Sequence, residues 1–357
     1  MGRSRKSRAC LVAALLALFL LPGTAVAAGK PKPVCTVDDP RLTELSGLAA
    51  DGTNIYAVND GGARLKVFVL DRSCALRKVI TGAIDPYDVE DLAIANDRTL
   101  WLGDTGDNSL QRDTVAVHTL RPDGTARLYR LTYPDGRHDA EALLLGPSEV
   151  PYIVTKNVLG TAGVYRPTGP LRSPGPTPLT KVAEVTVPAS STNGGPAGAA
   201  SAALVTGGAV SADDSVVALR TYTDAYLYPA PDGDIVAALS RQPVRIPLPH
   251  ERQGEAVALA PDGSLLSGGE GSGQPIRSVS GAVAMAQSAE QQAAENRERE
   301  QRAGEQDSAT AREPTAADTE EHPAADKAGM PPLPGFVVTV SVVVVLYAGV
   351  TWYRRRS

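Results

Sequence analysis

"DVEDLAIANDRTLWLGDTG" (88–106) lies without a gap over "ELSGLAADGTNIYAVNDGG" (44–62), an offset of 44 residues. Glu44 falls on Asp88, Ser46 on Glu90, Leu48 on Leu92 and Asp60 on Asp104. Each copy reads as a short apolar strand, an Asp/Asn/Gly turn and a second apolar strand. A third copy, "DAEALLLGPSEVPYIVTKN" (139–157), brings Asp139 and Glu141 onto Asp88 and Glu90. Two fainter copies follow. "VTGGAVSADDSVVALRTYTD" (205–224) has Thr206 at the Glu90 position and Arg220 at the Asp104 position. "GEAVALAPDGSLLSGGEG" (254–271) restores the carboxylate with Glu255 and carries Glu270 near its end. The marker positions 46, 90, 141, 206 and 255 stand 44, 51, 65 and 49 residues apart. The long step contains "PASSTNGGPAGAASA" (188–202), read as a flexible insertion.

Two more strands follow in the first units: "LKVFVLD" and "LRKVITG", then "TVAVHTL" and "TARLYRLTYP". Four short strands in a repeat of this length are the signature of β-propeller blades. The expectation is an all-β propeller over residues 28–280, with five four-stranded blades, or six if residues 160–205 hold further strands. The last unit supplies three strands, so "KPVCTV" (32–37) is expected to provide its fourth and close the ring. A two-sheet sandwich is the alternative, and it leaves the ungapped repeat unexplained. No amphipathic helix is expected before residue 280.

The flanks place the domain. "MGRSRKSR", the apolar "CLVAALLALFLL" and Ala25-Val26-Ala27 read as a signal peptide over 1–27, cleaved after Ala27. Residues 281–334 are rich in Ala, Glu, Gln, Thr and Pro, which predicts a disordered stalk, with a transient solvated helix over "SAEQQAAENREREQR". From Gly335 to Tyr353 no residue is charged, and the aromatic pair Trp352 and Tyr353 precedes Arg354, Arg355 and Arg356. That pattern predicts one transmembrane helix over 335–353 and a cytoplasmic tail over 354–357. The expected location is the plasma membrane, single-pass, with the N-terminal domain extracytoplasmic. The mature chain then keeps two cysteines, Cys35 and Cys74, which in an oxidising compartment read as one disulfide; separate buried thiols are the alternative. A formal net charge of −5 with no basic stripe excludes nucleic acid as a partner class.

In a propeller, residues just before each innermost strand and residues at the end of the second strand open on one channel mouth. The metal-ligand candidates are therefore Asp88, Glu90, Asp104, Glu141 and Glu255. The candidates for lining the mouth are Asp60, Asp107, Asn108, Asp139, Lys156, Asn157, Arg220 and Glu270. An acidic ring of this kind suits a hard cation such as Ca²⁺. Asp/Gly and Asp/Asn runs are also ordinary turn chemistry, and direct catalysis is the third reading. Lys156 and Arg220 either hold an anionic group against the ring or pair with its acids. Of the histidines only His138 falls near the mouth, where it is either a general base or a solvated loop residue. No nucleophile elbow, His-Glu-x-x-His or Cys-x-x-Cys motif is present, which favours a binding module over an enzyme.

"DVEDLAI", "LWLGDTGDN" and Arg112 together resemble uncharacterised, membrane-anchored extracytoplasmic β-propeller proteins of high-GC Gram-positive bacteria. More distantly the chain is similar to the esterase-like phytase and gluconolactonase-like propellers. That resemblance implies a carboxylate before an innermost strand, here Glu90, helping to bind Ca²⁺ at the channel mouth. Two functions follow as expectations. One is a scaffold or binding module of the cell envelope, directed at an envelope ligand or protein. The other is a metal-dependent hydrolase of phosphate esters or lactones, with Glu90, Asp104 and Glu141 on the metal and His138 as base.

Overall fold

The computed structural model describes residues 29–157, 160–188 and 190–310, the last seven as backbone. The expected signal peptide, transmembrane segment and cytoplasmic tail lie outside the described residues. Among the described residues no helix is long and apolar enough to cross a membrane.

The strands come in antiparallel sets of four. After β1 (Lys32–Thr36), the first set is β2 (Leu45–Ala50), β3 (Ile55–Asn59), β4 (Lys66–Leu70) and β5 (Leu76–Thr81). The second is β6 (Val89–Ile94), β7 (Leu100–Asp104), β8 (Val115–Leu120) and β9 (Ala126–Thr132). The third is β10 (Ala140–Gly146), β11 (Val150–Thr155), β12 (Thr161–Pro167) and β13 (Thr177–Thr186). The fourth is β14 (Val205–Val210), β15 (Val216–Thr221), β16 (Asp224–Pro229) and β17 (Val244–Pro247). The last runs β18 (Gly254–Leu259), β19 (Leu265–Gly269), β20 (Pro275–Val279) and back to β1. A short parallel pairing of Thr177 and Pro178 with Leu131 and Thr132 merges the second and third sets into one eight-stranded sheet.

The core is partitioned as the sets are. One apolar cluster fills each junction between consecutive sets, for example Val58, Val67, Leu92 and Leu102 between the first and second. Another, with Leu48, Phe68, Leu266 and Ile276, joins the last set to the first, so the packing closes on itself. Each fully buried leucine in such a junction contributes about 1.5–3 kcal/mol of transfer free energy. The fold is all-β and β-propeller-like, and the expected fourth strand of the last set is β1, paired antiparallel with β20. Cys35 on β1 and Cys74 in the β4–β5 turn are disulfide-bonded, with Cα atoms 5.6 Å apart.

Three expectations are corrected. The stalk does not begin at residue 281, because helix α2 (Ala282–Thr310) opens there and its first turns are core. Ala282, Val283, Met285 and Ala286 are buried between the fourth and last sets. Gln287 Nε2 donates to Ser215 Oγ at 2.8 Å, and Glu290 pairs with Arg241 at 2.5 Å. A short helix also precedes residue 280, α1 (Ile235–Leu239), whose N-terminal Val236 and Ala237 amides donate to the Asp234 side chain. Finally, the Gly/Ser/Ala insertion is pinned in place. Ser190 Oγ and Thr192 Oγ1 donate to the buried Asp224 at 2.5 and 2.7 Å, and Gly195 N donates to the Glu251 carbonyl at 2.9 Å.

A candidate metal centre at the channel mouth

The repeat markers have a common structural cause. Each inner strand carries a β-bulge near its start, and the residue skipped by the pairing is the marker. The register slips around Ser46 on β2, Glu90 on β6, Glu141 on β10, Thr206 on β14 and Glu255 on β18. A bulge sets two residues against one and re-aims a side chain out of the strand's alternation. Ser46 Oγ uses that freedom to donate to the Glu90 carbonyl at 2.6 Å, and lies 3.2 Å from Glu90 Oε2. Thr206 Oγ1 likewise donates to the Gly254 carbonyl at 2.9 Å. The other three bulges aim carboxylates, and Glu90, Glu141 and Glu255 are 3, 4 and 6 % exposed.

Neighbouring acids complete the mouth. One oxygen each from Asp60, Asp88 and Glu90 lies within 4.8 Å of the others, and the same holds for Glu90, Asp139 and Glu141. Glu90 therefore belongs to both groups. Gly106 makes this approach possible: a Cβ there would stand 2.1 Å from Glu90 Oε1 and 2.5 Å from Asp88 Oδ2. Glu270 accepts from Gln253 Nε2 at 2.6 Å and lies against Glu255. Among the described residues, one cation bonds to the group. The Lys156 ammonium donates to Glu141 Oε1 and sits 5.1 Å from the centre of the Tyr222 ring. The second oxygen, Glu141 Oε2, is buried with no hydrogen-bond partner.

The electrostatic consequence is a set of acids held above their ordinary range. Burial, then the charges of Glu141, Asp60, Asp88 and Glu255, drives Glu90 well upward. Burial and Glu141, with Glu270 adding to them, push Glu255 to about 10. Burial raises Glu141 to about 7 despite the lysine. Asp88 also rises to about 7, through burial and a hydrogen bond shared with Asp60. Burial raises Asp60 and Asp139 too. Such a group retains protons or takes up a cation. The oxygens that Asp60, Asp88, Glu90, Asp139 and Glu141 bring together are all carboxylate oxygens, the donor type a hard divalent ion selects.

Other candidates serve as scaffold. Asp104 does not join the acid groups. Its Oδ1 accepts from Asp88 N at 3.0 Å and Arg112 Nη2 at 2.8 Å, and its Oδ2 from Tyr87 N at 3.1 Å. His118 Nε2 lies 2.9 Å from the same Oδ2. Burial alone would raise Asp104, yet the His118 and Arg112 contacts hold it below its usual value. Asp107 caps its own loop, accepting from Gln111 N and Arg112 N at 2.7 and 2.9 Å, while its amide donates to Asp139 Oδ1 at 2.8 Å. Asn108 is exposed on that loop, and Asn157 is half-buried beside Lys156.

Two further candidates have partners outside the acid groups. Arg220 is not free to meet a ligand: it is wholly buried and paired with Glu251. Its Nη1 donates to the Ala256 and Gly268 carbonyls at 2.8 and 3.1 Å, and its Nε to Thr221 O at 3.1 Å. His138 turns from the acids into a cluster with Asp135 (2.9 Å) and the Tyr165 hydroxyl (3.1 Å), edge-on to Tyr133.

Sequence reasoning missed Asp91, which sits one residue past the Glu90 bulge and is fully buried. Its Oδ1 accepts from Leu92 N at 2.8 Å, and its Oδ2 from Leu143 N at 2.8 Å and Gly208 N at 3.0 Å. It ties β6 to β10 and β14 across the channel axis. Beyond it, the turn end opens into a cavity of about 430 Å³ lined by Ala49, Ile94, Leu145, Val210 and Leu259. Glu251 and His118 were also missed, since neither falls on a repeat position.

No protein-family model matches the chain, and no curated protein matches it in sequence. Several solved structures resemble it. A luciferin-regenerating enzyme is 10 % identical, with 70 % of this chain and 95 % of that one covered and a TM-score of 0.42. A PQQ-bound aldose sugar dehydrogenase from Streptomyces coelicolor is 13 % identical, with 71 % and 98 % covered and a TM-score of 0.38. A gluconolactonase from Xanthomonas campestris is 13 % identical over the same shares, with a TM-score of 0.37. Likeness at this level carries no activity across to this chain.

Proposed function

We propose that the chain is a five-bladed β-propeller that binds a divalent cation, Ca²⁺, at its acidic mouth and serves as a ligand- or protein-binding module of the cell envelope. Each four-stranded set is one blade, and β1 closes the ring. The chain is exported by its first 27 residues, held in the plasma membrane by residues 335–353, and carries the propeller outside the cytoplasm. The observation that carries the cation reading is Glu141 Oε2, a buried carboxylate oxygen without a partner in a group it shares with Glu90 and Asp139. An unpaired buried acceptor costs about 1–3 kcal/mol, and a bound cation removes that cost. In the hydrolase alternative the named base, His138, is hydrogen-bonded through Nε2 to Asp135 and Tyr165.

Calcium titration of the purified full chain tests this reading. At about 100 times Kd, Ca²⁺ stabilises by about 2.7 kcal/mol, which raises Tm by roughly 5–10 °C in a domain of this size. Chelator is expected to reverse the shift. A Tm indifferent to both Ca²⁺ and chelator rules the reading out. Phosphate esters and lactones, with Glu90→Gln as control, separate binder from enzyme: turnover that this variant abolishes would establish the hydrolase.

A further inference from the structure

Lys156 follows β11 and extends into the mouth with its side chain only 14 % exposed. Groups from several elements face it. Glu141 on β10 accepts its proton, and the Tyr222 ring lies beyond β15. Asp139 ahead of β10, Asp60 after β3 and Glu255 on β18 all feel its charge. Arg112, the other cation near the acids, is held by Asp104 and the Gly106 carbonyl at 2.8 and 2.7 Å. Lys156 is therefore the cation that touches the Glu90–Asp139–Glu141 group directly.

Its place there is physically costly for a metal site. A divalent ion drawn to Glu141 Oε2 meets an ammonium on the other oxygen of the same carboxylate. Both charges claim one ligand. We propose that Lys156 is a built-in competitor of the divalent cation, setting the concentration at which the mouth fills. This rests on the cation-binding reading of the mouth. Calcium affinity in proteins is tuned over orders of magnitude by the charge count of the site, with extracellular modules at about 10⁻⁴–10⁻³ M. One lysine reduces that count without removing a ligand.

The test compares Ca²⁺ affinity by isothermal calorimetry on the full chain, in the wild type, Lys156→Met and Lys156→Arg. Lys156→Met is expected to bind Ca²⁺ about 10-fold tighter or more, since a repelling charge is gone. Lys156→Arg keeps the charge and is expected to stay within about 3-fold of the wild type, on the same Coulomb argument. A purely structural lysine predicts the reverse: both variants loosen the mouth and bind more weakly. Lys156→Gln, neutral but still a donor to Glu141, replaces Met if that variant does not fold. Binding by Lys156→Met where the wild type shows none supports the inference. Equal affinity in wild type and Lys156→Met overturns it and leaves the cation site standing. Absence of binding in every variant removes the cation site itself, and this inference with it.

Discussion

Two clusters of buried charge in this molecule follow opposite rules. Around Arg220 the account balances. Glu251 takes Arg220 on one oxygen, and Ser267 Oγ (2.9 Å) and Arg277 Nη1 (3.1 Å) on the other. Arg220 Nε and Nη1 donate to backbone carbonyls. Gly254 is small so that the guanidinium fits, for a Cβ there would fall 1.7 Å from Nη2. At the mouth the account does not balance: carboxylates crowd together with Lys156 on Glu141, and one buried oxygen of Glu141 is unpaired. A cluster selected for rigidity is expected to complete its pairings. The incomplete one is where the proposed cation would sit.

The sharpest way to break that comparison is to remove one charge from each cluster. Arg220→Met leaves Glu251 buried against a single arginine, and the expected loss is about 3–5 kcal/mol, read as a Tm lower by roughly 10 °C. Glu90→Gln removes one of several mutually repelling acids. Without added cation it is expected to match or exceed wild-type stability, because a buried acid repelled by its neighbours is replaced by a neutral amide, while losing the Ca²⁺ response. If Glu90→Gln destabilises as much as Arg220→Met, the mouth is structural and the contrast collapses.

A pH series sharpens the contrast without mutation. Asp88 and Glu141 at about 7 and Glu255 at about 10 lie above their unfolded-chain values. The folded state therefore holds more protons than the unfolded one across this window. Stability contributed by these acids is fully present below about pH 4 and is lost as pH rises through their folded values. Thermal melts in chelator should fall steadily from pH 5 to pH 8, and Ca²⁺ should flatten the slope by replacing protons. A cation-free Tm that rises over that range contradicts the assignment.

A test of geometry alone comes from Gly106→Ala. It changes no charge, but its Cβ must push Glu90 and Asp88 aside. We expect a fall in Ca²⁺ affinity of about 10-fold, equal to about 1.4 kcal/mol, with stability in chelator lowered by about 1–2 kcal/mol from overpacking. Unchanged Ca²⁺ affinity in this variant would place the ion away from Glu90 and Asp88.

Much of this was legible in the chain because a bulge repeats. A marker such as Glu90 recurs as Glu141 and Glu255 since the same backbone slip recurs in each inner strand, and an ungapped alignment detects it. What the alignment could not supply was pairing between different parts of the repeat. Arg220 aligned with Asp104 and was placed with the ligands, yet its partner Glu251 lies ahead of β18 at a position no other copy shares. Asp104 looked equivalent to Asp60, but His118 on the adjacent strand and Arg112 in the loop claim it. The start of the stalk was misplaced for a compositional reason. "AVAMA" (282–286) is a short apolar run ahead of a long polar one, and an average over the segment hides it.

The docking of α2 gives the molecule a polarity. Val283 N bonds the Gly263 carbonyl at 3.0 Å, and Gln287 reaches Ser215, so the helix is fixed to the β18–β19 and β14–β15 turns. Those turns lie at the opposite end of the inner strands from the bulged residues. The chain thus leaves the sheets at one pole and presents its acids at the other.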